Sequence, residues 1–125
     1  MTDDSFELYD LRITIEEIRG KCTCQHQIGE YFELKGGKLS LPPGQSFCLY
    51  ALQAAIPLLP AKQRLLHAND WLETDSQVIC PDPLCGTVML IERKGRRLLH
   101  HDEVSANPLS TIDLLAKEDK TTGQI

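Results

Sequence analysis

The sequence predicts a small α+β domain built on an antiparallel sheet, with one main covering helix, a site of paired cysteines and an extended C-terminal arm. Three observations carry this expectation. Apolar residues alternate with polar ones in several short segments, the signature of half-buried strands. One stretch, residues 47–59, is rich in Leu and Ala and is long enough for a helix. Four of the five cysteines fall as two close pairs in the connections between these elements. With 125 residues, 42% of them hydrophobic and 25% charged, the chain has the size and balance of one domain with a modest core.

Leu11, Ile13 and Ile15 alternate with Arg12, Thr14 and Glu16 and predict a strand that ends or bulges at Glu17 and Ile18. Phe32 and Leu34 mark a second strand over residues 31–35. Gly36-Gly37 then closes a hairpin onto residues 38–41, where Leu39 and Leu41 are expected to point inward. Pro42-Pro43-Gly44 separates this hairpin from the helix, whose Phe47, Tyr50, Leu52 and Ile56 are placed to cover the sheet. Pro57 and Pro60 limit its length, since each lacks an amide hydrogen and crowds the preceding turn, and residues 61–67 add a further short helical turn. Val78-Ile79 and residues 87–92 flank a turn from Cys80 to Gly86. Val88 to Ile91 is apolar on both faces, as a buried central strand requires. Residues 1–93 are therefore read as the compact domain. Residues 94–125 form the arm, with a short amphipathic helix at 109–116, a polar end at 117–125 and an apolar content suited to a partner surface.

Charge and hydropathy exclude several functions. Thirteen Lys and Arg against eighteen Asp and Glu give a net charge of −5. A nucleic-acid binder needs a basic face, and the one basic cluster is Arg93, Lys94, Arg96 and Arg97. No apolar run reaches the roughly 18 to 20 residues of a membrane span, and the first residues are acidic, unlike those of a signal peptide. The expected location is cytoplasmic. In that reducing compartment five cysteines point to metal or redox chemistry more than to disulfides.

Cys22-Thr23-Cys24-Gln25-His26 lies between the first strand and the hairpin, and Cys80 and Cys85 bracket the later turn. Two pairs on two loops is a zinc-ribbon-like arrangement, because Zn²⁺ takes a tetrahedron of thiolates or neutral imidazoles that turns can supply without distorting strands. The expected ligands are Cys22, Cys24, Cys80 and Cys85, with His26 as the alternative fourth ligand. Gly86, directly after the last of them, suits a tight turn. Four protein ligands leave no open position for an activated water, so such a site is structural. Cys48 sits among Phe47, Leu49, Tyr50 and Ala51 and reads as a core residue. His100-His101-Asp102-Glu103 reads as a solvated surface, and Trp71, beside Asp70, as an anchor of a loop or interface. No phosphate loop, nucleophile elbow or catalytic triad is present, so catalysis by this chain alone is not expected.

Two resemblances follow from these residues. Arg19-Gly20-Lys21-Cys22, His26 to Glu33, Phe47 to Leu52 and Cys80-Pro81-Asp82-Pro83 resemble a family of small uncharacterised prokaryotic proteins over residues 8–93, which implies a compact α+β unit. Lys21-Cys22-Thr23-Cys24-Gln25-His26, paired with Val78 to Thr87, resembles the zinc-bearing small subunit of ATP-dependent, biotin-independent ketone carboxylases, the acetone and acetophenone carboxylase group. There C-x-C-G-H is followed by C-P-x-C-G-T. This chain departs by Gln25 in place of glycine and by two extra residues between Cys80 and Cys85. The resemblance implies a non-catalytic hetero-oligomer subunit that braces larger catalytic subunits. Those partners would carry ATP, bicarbonate activation and ketone enolisation. Two other expectations stay open: a small redox protein in which Cys22 or Cys24 cycles with Cys80 or Cys85, and a stand-alone module for a small ligand.

Overall fold

A computed structural model describes residues 3–109. The helix expected at 109–116 and the polar end at 117–125 lie, residue 109 apart, outside the described residues. The architecture is α+β. A five-stranded antiparallel sheet has the order β3-β2-β1-β5-β4, with β1 at Ser5–Ile18, β2 at Tyr31–Lys35, β3 at Lys38–Ser40, β4 at Gln77–Ile79 and β5 at Thr87–His100. The helical elements are α1, Leu49–Ala55, α2, Leu59–Lys62, and α3, His101–Val104. The chain divides into two compact units, residues 8–97 and a smaller one whose described parts are 3–7 and 98–109.

The hairpin forms where alternation and Gly36-Gly37 place it. Lys35 faces Lys38 across the turn, and Gly36 takes a left-handed φ of 60°. In β1, Leu11, Ile13 and Ile15 are buried, and Ile13 faces Phe32 of β2. Val88, Met89 and Ile91 are buried in β5, as a strand flanked on both sides requires. Leu39 and Leu41 do not point inward. They are exposed, Leu39 on β3, which is the edge strand of the sheet, and Leu41 just after it.

The helix also differs from expectation. Pro57 tightens the chain into a 3₁₀ turn at Ile56–Leu58, after which α2 starts with Pro60 in its first turn, where a missing amide is harmless. The buried stripe is Ala51, Ala55 and Leu59, spaced by four, while Tyr50 and Ile56 face outward. Small alanines let the helix approach the sheet closely. With Leu11, Ile13, Ile15, Phe32, Met89 and Ile91 they form one core, each large side chain contributing roughly 1.5–3 kcal/mol by leaving water.

Beyond residue 62 the helix does not continue. Lys62 itself is buried, and its ammonium donates to the Leu72 carbonyl and to Ser76 Oγ at 2.9 Å, pinning the turn at Trp71–Glu73. Burial and the neighbouring Arg93 hold its pKa below the ordinary value. Trp71 is exposed and does not anchor that turn to the core; Asp70 caps it instead, accepting from the Leu72 amide at 2.9 Å.

Strand β5 does not end at Glu92 but runs to His100, so the first part of the predicted arm is sheet. Its polar composition reflects side chains engaged at the surface. Arg93 pairs with Glu73 at 2.9 Å, Lys94 with Glu92 at 3.6 Å and Arg97 with Asp10 at 3.0 Å, while Arg96 lies 5.6 Å from the Tyr9 ring. Three of the four basic side chains of this cluster are thus paired with carboxylates. Among the described residues no helix is long and apolar enough to cross a membrane.

In the smaller unit, Asp4 accepts the His101 amide on its carbonyl at 3.0 Å and pairs with His100 Nδ1 at 2.9 Å. The His100 amide donates to Glu103, which caps α3. The Asp4 hydrogen bond raises the pKa of His100 above 6.5, and the same bond lowers that of Asp4 below 3.8. Nearby Asp102, Glu103 and Asp3 add to the field around the imidazole. The pair therefore stabilises the unit fully below pH 6.5, and this contribution disappears as pH rises through the raised His100 value; acid removes it below the lowered Asp4 value. We expect α3 amide hydrogen exchange, corrected for its intrinsic pH dependence, to accelerate as His100 deprotonates. His100→Gln should abolish that step, and an unchanged step in the variant would refute the assignment.

Candidate metal centre

Three segments of the larger unit converge on one cavity. The first leaves β1 at Ile18 and runs antiparallel beside the turn that precedes β5. Arg19 N donates to Gly86 O, Gly20 N to Cys85 O and Lys21 N to Leu84 O, at 3.0, 3.0 and 3.1 Å. This short ladder brings Cys22 to Cys85. It depends on Gly20, since a Cβ there would lie 1.9 Å from the Leu84 carbonyl oxygen. Gly86 has a φ of 62°, the left-handed turn its position after Cys85 calls for.

The second segment is the turn itself. Cys80 N donates to Thr87 O at 2.9 Å, Cys85 N to Asp82 O at 3.0 Å, and the Asp82 carboxylate accepts from Leu84 N at 3.0 Å. The four-residue insert with two prolines is thus a hydrogen-bonded turn that leaves both thiols buried beside the cavity.

The third segment is the start of α1. Cys48 N donates to His26 Nε2 at 2.9 Å, and His26 Nδ1 lies 2.7 Å from the Glu30 carboxylate. An amide can only donate, so Nε2 is the acceptor and Nδ1 carries the proton toward Glu30. Both ring nitrogens are engaged, which makes His26 a support for Cys48 in this conformation and leaves no free lone pair for a metal. Its ring is buried against Phe47, with centroids 4.6 Å apart, and Phe47 in turn meets Phe32 of the core. Hydrogen bonds from His26 and the Gln27 amide hold the Glu30 pKa below its usual value.

The resulting cavity has a volume of about 360 Å³ and is lined by all five cysteines, together with His26, Tyr50 and Asp82 among others. All five thiols are free. Cys48, which the sequence placed in the core, is half-buried and packs against the core, and it also lines this cavity. The clue to it lies in its position: it follows a proline-rich loop and stands at the N-terminal cap of the helix, at the mouth of this cavity.

Hydrogen bonds reach two of the sulfurs. His26 N lies 3.4 Å from Cys22 Sγ, and the Thr87 hydroxyl lies 3.0 Å from Cys85 Sγ; Cys48, at the N-terminal cap of α1, makes no side-chain capping bond. Burial alone would raise Cys48, but the Ala51 amide, the Cys24 thiol and the Tyr50 amide outweigh it and lower its pKa. Burial is likewise outweighed at Cys85, which is lowered chiefly by Thr87. Cys80 stays raised by burial. Cys24 is exposed, and its dominant interaction is the Cys48 thiol, which pushes it up to about 11.

The chemistry of the lining is that of a thiophilic ion's ligands: soft sulfurs around one cavity, with an amide at Cys22 and a hydroxyl at Cys85. A tetrahedral zinc site with Zn–S near 2.3 Å places its sulfurs about 3.8 Å apart. Among the described residues the one set of three ligand atoms mutually within 4.8 Å is Asp3, Asp4 and His100, whose atoms are occupied by the bonds described above. The expected ligands Cys22, Cys24, Cys80 and Cys85 thus line one cavity, but among the described residues no three of their sulfurs lie mutually within 4.8 Å. Gln25 has a left-handed φ of 59°, a conformation that favours glycine. Models of protein families, curated proteins and solved structures returned no match to this chain.

Proposed function

We propose that this chain is a zinc-thiolate protein in which one Zn²⁺ is held by Cys22, Cys48, Cys80 and Cys85, with Cys24 as a fifth thiol at the rim. The observation that carries the reading is the convergence of these sulfurs on one cavity, with hydrogen-bond donors at Cys22 and Cys85. Donors of this kind lower the cost of holding thiolates together and orient metal ligands. Four thiolates close the coordination sphere, so the ion ties the three segments together and performs no chemistry of its own.

We further infer that the protein serves as a non-catalytic small subunit of a larger enzyme, with the ATP-dependent ketone carboxylases as the assembly its cysteine segments resemble. The left-handed backbone of Gln25 supports that resemblance, because glycine is the residue at the corresponding place of the C-x-C-G-H pattern. Ile28, Leu49, Tyr50 and Leu84 support a partner surface: all are exposed, in the segments that carry the cysteines. ATP and the reacting ketone would belong to the partner subunits.

Protein purified untagged from its native host without chelator should contain about one zinc per chain and elute with larger subunits. Absence of zinc would sink the metal reading. Elution as a stable monomer would sink the subunit reading alone.

A further inference from the structure

We propose that Glu30 is the positioning residue of the cysteine site: acting through His26, it fixes Cys22 and Cys48, which lie on two different segments, relative to the sheet. This rests on the reading above only in taking the two cysteines as parts of one site. The tether starts in the core. Ile15 of β1 is fully buried; its amide donates to the Glu30 carbonyl at 2.8 Å, and its carbonyl accepts from the Gly29 amide at 2.8 Å. Gly29, with a φ of 98°, supplies the left-handed turn of this return. The backbone at Glu30 is thus anchored on β1 independently of its side chain.

One carboxylate oxygen of Glu30 then accepts two bonds, from His26 Nδ1 at 2.7 Å and from the Gln27 amide at 3.0 Å. The first sets the tautomer and heading of the imidazole, and the second holds the backbone beside it. His26 passes the constraint on in two directions. Its own amide lies 3.4 Å from Cys22 Sγ, and its Nε2 accepts the Cys48 amide at 2.9 Å. Nε2 can accept only while the proton sits on Nδ1, and the carboxylate keeps it there. The imidazole side chain is 4% exposed and packed against Phe47, so it has little room to turn away. Without the carboxylate the two neutral tautomers compete. The Nε2–H form sets a donor against the Cys48 amide, and the start of α1 has to move off.

The test is nitrogen NMR and amide hydrogen exchange on the full ¹⁵N-labelled chain, with zinc content measured on the same sample. In the wild type His26 should carry its proton on Nδ1, and the Cys48 amide should exchange slowly. Glu30→Ala should populate the Nε2–H form and speed Cys48 exchange about fivefold or more, the effect of losing one net hydrogen bond. The Ile15 amide, held by the Glu30 carbonyl, should stay protected in that variant. Glu30→Gln, which keeps an acceptor oxygen, should retain the wild-type tautomer. An unchanged tautomer and unchanged Cys48 exchange in Glu30→Ala would overturn the inference. So would loss of Ile15 protection in the same variant, because the carboxylate would then be supporting the turn and not orienting a ring. The predicted Glu30 dependence in a chain that contains no zinc supports the inference and refutes the metal reading alone.

Discussion

Cys48→Ser should abolish stoichiometric zinc retention, whereas Cys24→Ser should leave it intact. This ordering reverses what residue spacing implies, since Cys22 and Cys24 are the close pair in the sequence. Its basis is the environment of each sulfur. Cys48 is half-buried, with its own amide anchored on His26, while Cys24 faces solvent. Loss of one of four thiolates should cost more than the roughly 10–100-fold in metal affinity that outer-shell changes cost. His26→Ala, which removes the acceptor for the Cys48 amide, belongs in that outer-shell range. Because structural zinc contributes to folding directly, the serine variant should also melt well below the wild type and lose its response to added chelator. Competition titration with a zinc indicator and thermal unfolding with and without chelator check both statements. Full zinc binding by Cys48→Ser and loss of binding by Cys24→Ser would return the ligand set to Cys22, Cys24, Cys80 and Cys85.

Gly20→Ala should disrupt the same site without touching a ligand. The added Cβ would stand 1.9 Å from the Leu84 carbonyl oxygen and 2.9 Å from its carbon, both backbone atoms that no rotamer change can move. The ladder from Arg19 to Lys21 must open to make room, and three backbone hydrogen bonds weaken or break. At a net 0.5–1.5 kcal/mol each, the loss is about 3 kcal/mol, and zinc affinity should fall with it because Cys22 moves away from Cys85. Gly95→Ala is the control. A Cβ at Gly95 meets nothing within 4 Å and its φ is ordinary, so the change should be neutral or mildly stabilising. Denaturant unfolding of the two variants separates a specific close approach from a general intolerance of alanine; equal stabilities would refute the role given to Gly20.

Much of the fold was legible because binary patterning and turn chemistry agree there. Phe32, the Gly36-Gly37 turn and the apolar run from Val88 to Ile91 each mean the same thing locally and globally. The helix was legible in place but not in facing. Large residues such as Tyr50 and Ile56 attract the eye as core, yet close packing on a sheet selects Ala51 and Ala55. The far half of β5 was hidden by its charges, which are held in pairs such as Arg97 with Asp10 that span distant parts of the sequence. Four cysteines announced themselves by spacing. Cys48 did not, because its apolar neighbours suggested burial, while Leu49 and Tyr50 in fact face solvent. His26 was visible as a ligand type, but its actual bonds, to Glu30 and to the Cys48 amide, depend on three-dimensional proximity that no local pattern records.

The ladder between residues 19–21 and 84–86 has a consequence for how the protein is made. It joins the end of the first strand to a turn that leaves the ribosome only after most of the larger unit has been synthesised. Cys22 and Cys24 emerge early, with neither their later partners nor the Arg19 to Lys21 pairing available to order them. Closing so long a loop is entropically costly and slow relative to local hairpin formation. Metal loading is therefore expected to be a late, post-synthetic event that reports completion of the sheet, and a truncated or misregistered chain would present loose thiols in place of a preassembled site.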